Sequence, residues 1–206
     1  TGLFFEEATY NRLRSNLIED STQDNLSLVK SDFNVIEGIE LRKAAHTLWT
    51  VKCGNRNVIR GNYFHNEIQK IGEIYDCENV GFDHQFFLLD ATKYNLVEGN
   101  DFAYAPSSGD HSPYAGIQYA GQHGIIRRNV FHDTVGPALD LTQYSDEALY
   151  CTDNRVYHNV FHATDFAGVG VAGNDGEGVF FSGNLLSNNV MTASSFATLR
   201  KRPSRR

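Results

Sequence analysis

The chain has 206 residues, 41% of them hydrophobic, enough for one sizeable core. No apolar run reaches the roughly 18 residues of a membrane span, and 4 prolines and 18 glycines fit neither a collagen nor a disordered chain. Net charge is −7, but five of the 18 basic residues sit in the tail 200–206 (RKRPSRR). The body therefore sets 13 basic against 25 acidic residues, a net of −12, which suits neither a nucleic-acid nor a membrane-surface partner.

A phrase recurs along the chain: NRLRSNLIED (11–20), NVIEGIEL (34–41), NVIRGNYFHN (57–66), NLVEGNDFAY (95–104), GIIRRNVFHD (124–133), NRVYHNVFHA (154–163) and GVFFSGNLLS (178–187). Aligned on Asn16, Ile39, Asn62, Asn100, Asn129, Asn159 and Asn184, the steps are 23, 23, 38, 29, 30 and 25 residues. Helical repeats need about 33–47 residues, and most of these steps are shorter. Apolar residues alternate within each copy, which is a strand pattern. Before most copies runs a second strand-like segment: SLVKS (27–31), LWTVKC (48–53), FFLLDA (86–91), AGIQYA (115–120), ALDLTQ (138–143) and GVGVAG (168–173). Short strands with Gly or Asn at the corners predict an all-β fold, a single-stranded right-handed parallel β-helix of about seven coils over 1–199, with 200–206 as a disordered tail. Stacked asparagines would form a hydrogen-bonded column, and Phe64, Phe102, Phe131 and Phe161 an internal one. These asparagines read as structural, not catalytic.

The phrases NVIRGNYFHN, GIIRRNVFHD and NRVYHNVFHA, with the LWTVKC-type strands before them, resemble the right-handed parallel β-helix superfamily of pectate lyases, alginate lyases and chondroitinase B. The resemblance covers roughly residues 4–190 and implies an extracellular, carbohydrate-active protein. Chondroitinase B and its alginate-lyase relatives carry a Lys at the end of such a strand and an Arg in the next coil. Lys52 of LWTVKCGNRNVIRGN matches the Lys, while FLLDAT places Asp90 where the Arg would stand.

Longer links emerge as loops on one face of a solenoid. They fall at 66–85, 103–114 and 144–152. Beside them, alternation points Val29, Val51, Leu89, Ile117, Leu141 and Val171 inward. It points Lys30, Lys52, Asp90, Gln118 or Tyr119, and Asp140 or Thr142 outward, with Glu6 below. Such a column is a salt-bridge ladder or a groove for an extended sugar chain.

Two reactions fit the groove. Lyase elimination on a uronate polymer needs a cation, a base and an acid. Lys52 would be base or cation, Lys30, Arg60 and Lys93 nearby cations, and Tyr119, His111 or His123 proton carriers. Inverting hydrolysis needs two carboxylates, here Asp90 and Asp140. Polygalacturonase and epimerase signatures are absent. Tyr104, Tyr114 and Tyr144 suit sugar stacking under either reaction or under a non-catalytic binding or structural module. Asp83, Asp90 and Asp110 would hold calcium if their loops converge. Cys53, Cys77 and Cys151 read as buried thiols. Thr1 in place of Met reads as a processed or trimmed chain. Solenoid ends without a capping helix point to a homo-oligomer or a larger parent chain.

Overall fold

The computed structural model describes residues 1–66, 70–75, 92–105, 115–142, 150–164, 167–172, 180–192 and 196–198. Among them there is no helix, and the strands are numbered β1–β24 in chain order. Sheet A holds β1 (Leu3–Glu6), β4 (Leu26–Val29), β7 (Thr47–Lys52), β10 (Lys70–Tyr75), β13 (Ile117–Tyr119), β16 (Leu139–Thr142), β20 (Val169–Ala172) and β24 (Phe196–Thr198), in that order. Sheet B holds β2 (Arg12–Arg14), β5 (Val35–Glu37), β8 (Val58–Arg60), β11 (Leu96–Glu98), β14 (Ile125–Arg127), β18 (Arg155–Tyr157) and β22 (Leu185–Ser187). Sheet C holds β3 (Leu17–Glu19), β6 (Glu40–Arg42), β9 (Tyr63–His65), β12 (Asp101–Ala105), β15 (Val130–Thr134), β19 (Val160–Thr164) and β23 (Val190–Thr192). A small fourth sheet pairs β17 (Tyr150–Thr152) with β21 (Phe180–Ser182). All pairings are parallel, and in sheets A, B and C each strand pairs with its counterpart one circuit of the chain later. This is the pairing pattern of a parallel solenoid.

Each strand of sheets B and C turns one large apolar side chain to the interior. In sheet C these are Ile18, Leu41, Phe64, Phe102, Phe131, Phe161 and Met191, in register. The Phe102 and Phe131 rings stack at 4.6 Å and 9°, and Phe131 and Phe161 at 5.0 Å and 18°. Sheet B adds Leu13, Ile36, Ile59, Val97, Ile126, Val156 and Leu186. Burying each such side chain contributes about 1.5–3 kcal/mol. Cys53 and Cys151 are buried free thiols.

The B-to-C corner is two residues long in every circuit. The first residue has left-handed backbone: Ser15, Gly38, Gly61, Gly99, Arg128, His158 and Asn188, with φ between 52° and 64°. No neighbour approaches a Cβ built on Gly38, Gly61 or Gly99, so backbone conformation rather than space favours glycine there. The second residue is the repeated asparagine, or Ile39 in one circuit, and it does not take the left-handed conformation. It bonds along the stack instead. Asn100 Nδ2 donates to Ile59 O at 2.9 Å and to Asn129 Oδ1 at 3.0 Å, and the Asn100 amide donates to Asn129 Oδ1 at 2.9 Å. The same bonds link Asn129 to Asn159 and Asn159 to Asn189. A second column, at the corner before sheet B, runs through Asn11, Asn34, Asn57 and Asn95, then Gly124, Asn154 and Asn184. Asn184 thus stands under Asn154, not Asn159, and the last step of the repeat is 30 residues, not 25.

Candidate functional site

Sheet A decides which of the expected groups reach its outer face. Leu28, Val51, Ile74, Tyr119 and Leu141 form one inward row. The adjacent outward row includes Ser27, Thr50, Gln118 and Asp140. Gln118, not Tyr119, therefore takes the outward place. Tyr119 has no exposed surface, and burial pushes its hydroxyl far above the ordinary phenol range, with Cys151 adding to the shift. Its oxygen occupies the room left by Gly124, 1.7 Å from where a Cβ would stand. A group in that position cannot pass protons to a polymer in solvent, and the role expected of Tyr119 is withdrawn.

The row expected for Asp90 belongs to another segment. β10 pairs with β7 on one side and β13 on the other, so Glu73 of KIGEIY lies between Thr50 and Gln118. Asp90, Asp83, Asp110, His111, Tyr114, Tyr144 and Cys77 lie outside the described residues. Asp140 is half-buried beside Gln118.

At the first rows of sheet A, Asp24 ties the outer face together. It accepts from Ser27 Oγ at 2.7 Å, Thr47 Oγ1 at 2.8 Å and Thr50 Oγ1 at 3.1 Å, and meets His46 Nδ1 at 2.7 Å. Burial alone would raise this carboxyl, but the bonds from His46, Ser27 and Thr47 hold it well below the ordinary carboxylate range.

The expected cations gather at the end of sheet A and on the corner that follows. Lys52 is the last residue of β7, half-buried, in register with Val29 and Tyr75. The Lys30 amide donates to Lys52 O at 2.8 Å. On the corner, the Arg56 amide donates to Lys93 O at 3.0 Å, the Tyr94 amide to Gln122 O at 3.0 Å and the His123 amide to Thr152 O at 3.0 Å. Lys30, Lys52, Lys93 and His123 thus lie in successive circuits along one edge of an acidic body. Lys30 stands one step past the strand, at φ 47°, so its register mate is not Lys52.

Arg60 does not join them. It lies on sheet B, where Arg14, Glu37, Arg60, Glu98 and Arg127 succeed one another. Its guanidinium holds Glu37 at 2.8 Å, and hydrogen bonds from Arg60 and then Arg12 lower the Glu37 carboxyl. This exposed alternation is a solvated ion-pair ladder of small energetic weight. A shallow groove of about 620 Å³ runs along the B-to-C corner past Gly38, Gly61, Gly99, Glu40, Tyr63 and Asp101, apart from the lysines.

No group of three or more His, Cys, Asp or Glu is placed to hold a metal ion among the described residues. His132 instead meets Asp101 at 3.1 Å and Asp133 at 2.6 Å, and His162 meets Thr192 at 2.8 Å.

Sequence reasoning missed Arg56 and Tyr94, and both were legible. Tyr10, Phe33, Arg56, Tyr94, His123 and Asp153 each stand one residue before a member of the Asn11 column, so they share one corner.

No family model matches the chain, and no curated protein matches it. A solved alginate lyase from a Paenibacillus species is similar at 11% identity over 91% of this chain and 80% of that one, with a TM-score of 0.47. At that level the strand pairing itself, not the likeness, defines the fold, and the reaction is left to the site.

Proposed function

We propose that this chain is a right-handed parallel β-helix of about seven coils that acts as a polysaccharide lyase on an extended, extracellular, uronate-containing polymer. The observation that supports this is the file of Lys30, Lys52, Lys93 and His123 along one edge of a body whose net charge is −12 without its tail. A cationic file on an acidic surface selects an anionic chain locally, because like charges elsewhere repel it.

Elimination breaks one carbon–hydrogen and one carbon–oxygen bond and forms one carbon–carbon double bond. The base takes the proton α to the carboxylate, a carbon–carbon double bond forms, and the bond to the departing glycosidic oxygen breaks as that oxygen gains a proton. Lys52, at the end of β7, is the group assigned to take the first proton. Lys30 and Lys93 offset the charge that develops on the carboxylate. His123 is the described group that can return a proton.

A second reading is inverting hydrolysis, for which Asp140, on the outer face of sheet A, would be one of the two carboxylates.

The test is incubation with alginate, pectate, chondroitin sulfate and neutral glucans, with and without calcium. Ultraviolet absorbance of an unsaturated product and new reducing ends are followed together. Both signals on a uronate polymer support the lyase. Reducing ends alone move the assignment to hydrolysis, with Asp140 as one carboxylate. Polymer binding with neither signal overturns catalysis in favour of a binding module.

A further inference from the structure

The corner between sheets A and B carries a continuous exposed stack of rings with one guanidinium inside it. Tyr10 and Phe33 stack at 4.9 Å and 12°, and Tyr94 and His123 at 5.0 Å and 11°. Arg56 fills the circuit between, its Cζ 5.5 Å from the Phe33 ring centroid and 5.0 Å from that of Tyr94. Both distances fall inside the reach of a cation–π contact. All five residues have left-handed backbone, with φ from 52° to 61°. The same left-handed conformation recurs at other corner residues such as Lys30, Arg128 and His158, so the corner geometry rather than the stack sets it.

Rings rather than a carboxylate flank Arg56. Arg12, Arg42, Arg60, Arg127 and Arg128 each hold a glutamate. Among the described residues, no carboxylate lies within ion-pair distance of exposed Arg56. Rings flank its guanidinium along the stack, so a ligand must come from the side. A guanidinium held in this way, with its charge uncompensated, is pre-organised for two parallel hydrogen bonds to a carboxylate. The stacked rings turn their faces to one another, leaving edges rather than platforms to a sugar. The stack therefore serves to hold the arginine.

We infer that Arg56, clamped between Phe33 and Tyr94, is a subsite that binds the carboxylate of one uronate residue of the polymer. The inference rests on the uronate reading above and assigns the recognition of the acid group to a single side chain.

Calorimetric titration of the full chain with galacturonate and mannuronate tetrasaccharides, and with their carboxyl-reduced counterparts, tests it. Arg56→Gln removes the charge, and Arg56→Lys keeps the charge but not the planar fork. Both are expected to weaken uronate binding about tenfold or more, at unchanged thermal stability. The wild type should bind the reduced sugars no better than Arg56→Lys does. Unchanged affinity in Arg56→Lys, or equal wild-type affinity for the reduced sugars, overturns the inference. If the wild type still cleaves uronate polymers, the lyase reading survives that result. A wild type that neither binds nor cleaves any uronate chain removes both.

Discussion

Replacing Asn129 by Ala removes a rung from the middle of a buried column. Its Nδ2 donates to Val97 O and to Asn159 Oδ1, each at 3.0 Å. Its Oδ1 accepts the Asn100 amide at 2.9 Å and Asn100 Nδ2 at 3.0 Å. Alanine leaves the Asn100 amide and one Nδ2 proton of Asn100 without partners inside the solenoid. At about 1–3 kcal/mol for each orphaned group, the loss should be about 2–6 kcal/mol. This is a large share of a total stability of about 5–15 kcal/mol. Asn16 is the control. It is exposed, makes one local bond to Arg14 O at 2.7 Å, and is followed in the column by Ile39, which has no amide to offer. Asn16→Ala should cost less than about 1 kcal/mol. Urea unfolding followed by circular dichroism measures both, and Asn129→Asp, which keeps the acceptors, provides an intermediate if the alanine variant does not fold. Equal losses at the two sites would refute the argument that buried rungs, not local turn preferences, hold the corner.

Three further outcomes are expected. Tyr119→Phe removes a buried hydroxyl that has no partner among the described residues, so stability should hold or rise by about 1 kcal/mol and turnover should persist; lost turnover with intact stability would restore a catalytic tyrosine. Gly72→Ala would set a Cβ 2.2 Å from Cε2 of Trp49, the sole tryptophan, so unfolding should come about 1–3 kcal/mol earlier with a shifted native fluorescence spectrum. Asp24→Asn should destabilise by about 1–3 kcal/mol at neutral pH. The folded carboxyl lies below its unfolded value of about 3.9, so its contribution is full above that pH and fades below it. Wild type and variant should converge in acid, and a gap that stays constant from pH 7 to pH 3 would rule the charge out as its source.

Much of this architecture could be read from the residue order, and the misreadings have physical causes. The phenylalanine column was legible because Phe64, Phe102, Phe131 and Phe161 keep one offset from their corner asparagines, whatever the step length. The last circuit was misaligned because two corners share one local solution. Gly183 (φ 69°) before Asn184 has the same form as Gly61 before Asn62, although they belong to different columns. KIGEIY looked like loop because Gly72 interrupts its alternation, and the missing side chain there is replaced from the neighbouring row by the ring of Trp49. Tyr119 was ambiguous because its ring satisfies the core while its hydroxyl suggests the surface. At the candidate site, residue types announced a cationic edge, but only the pairing separated Arg60, spent on Glu37, from Arg56, held by rings.

The two-residue corner between sheets B and C has a consequence for how such a chain can change length. Every described circuit crosses there in the same way, while the step from Asn62 to Asn100 is 38 residues and that from Asn100 to Asn129 is 29. Insertions have thus accumulated only at the other corners, without disturbing the register that this one sets. A duplication or deletion cut from one such corner to the next would add or remove a whole circuit and leave every rung with a partner. The same cut made elsewhere would shift the inward set onto the surface. The corner works as a reading frame for the solenoid, and graft or recombination boundaries in this protein should be chosen in phase with it.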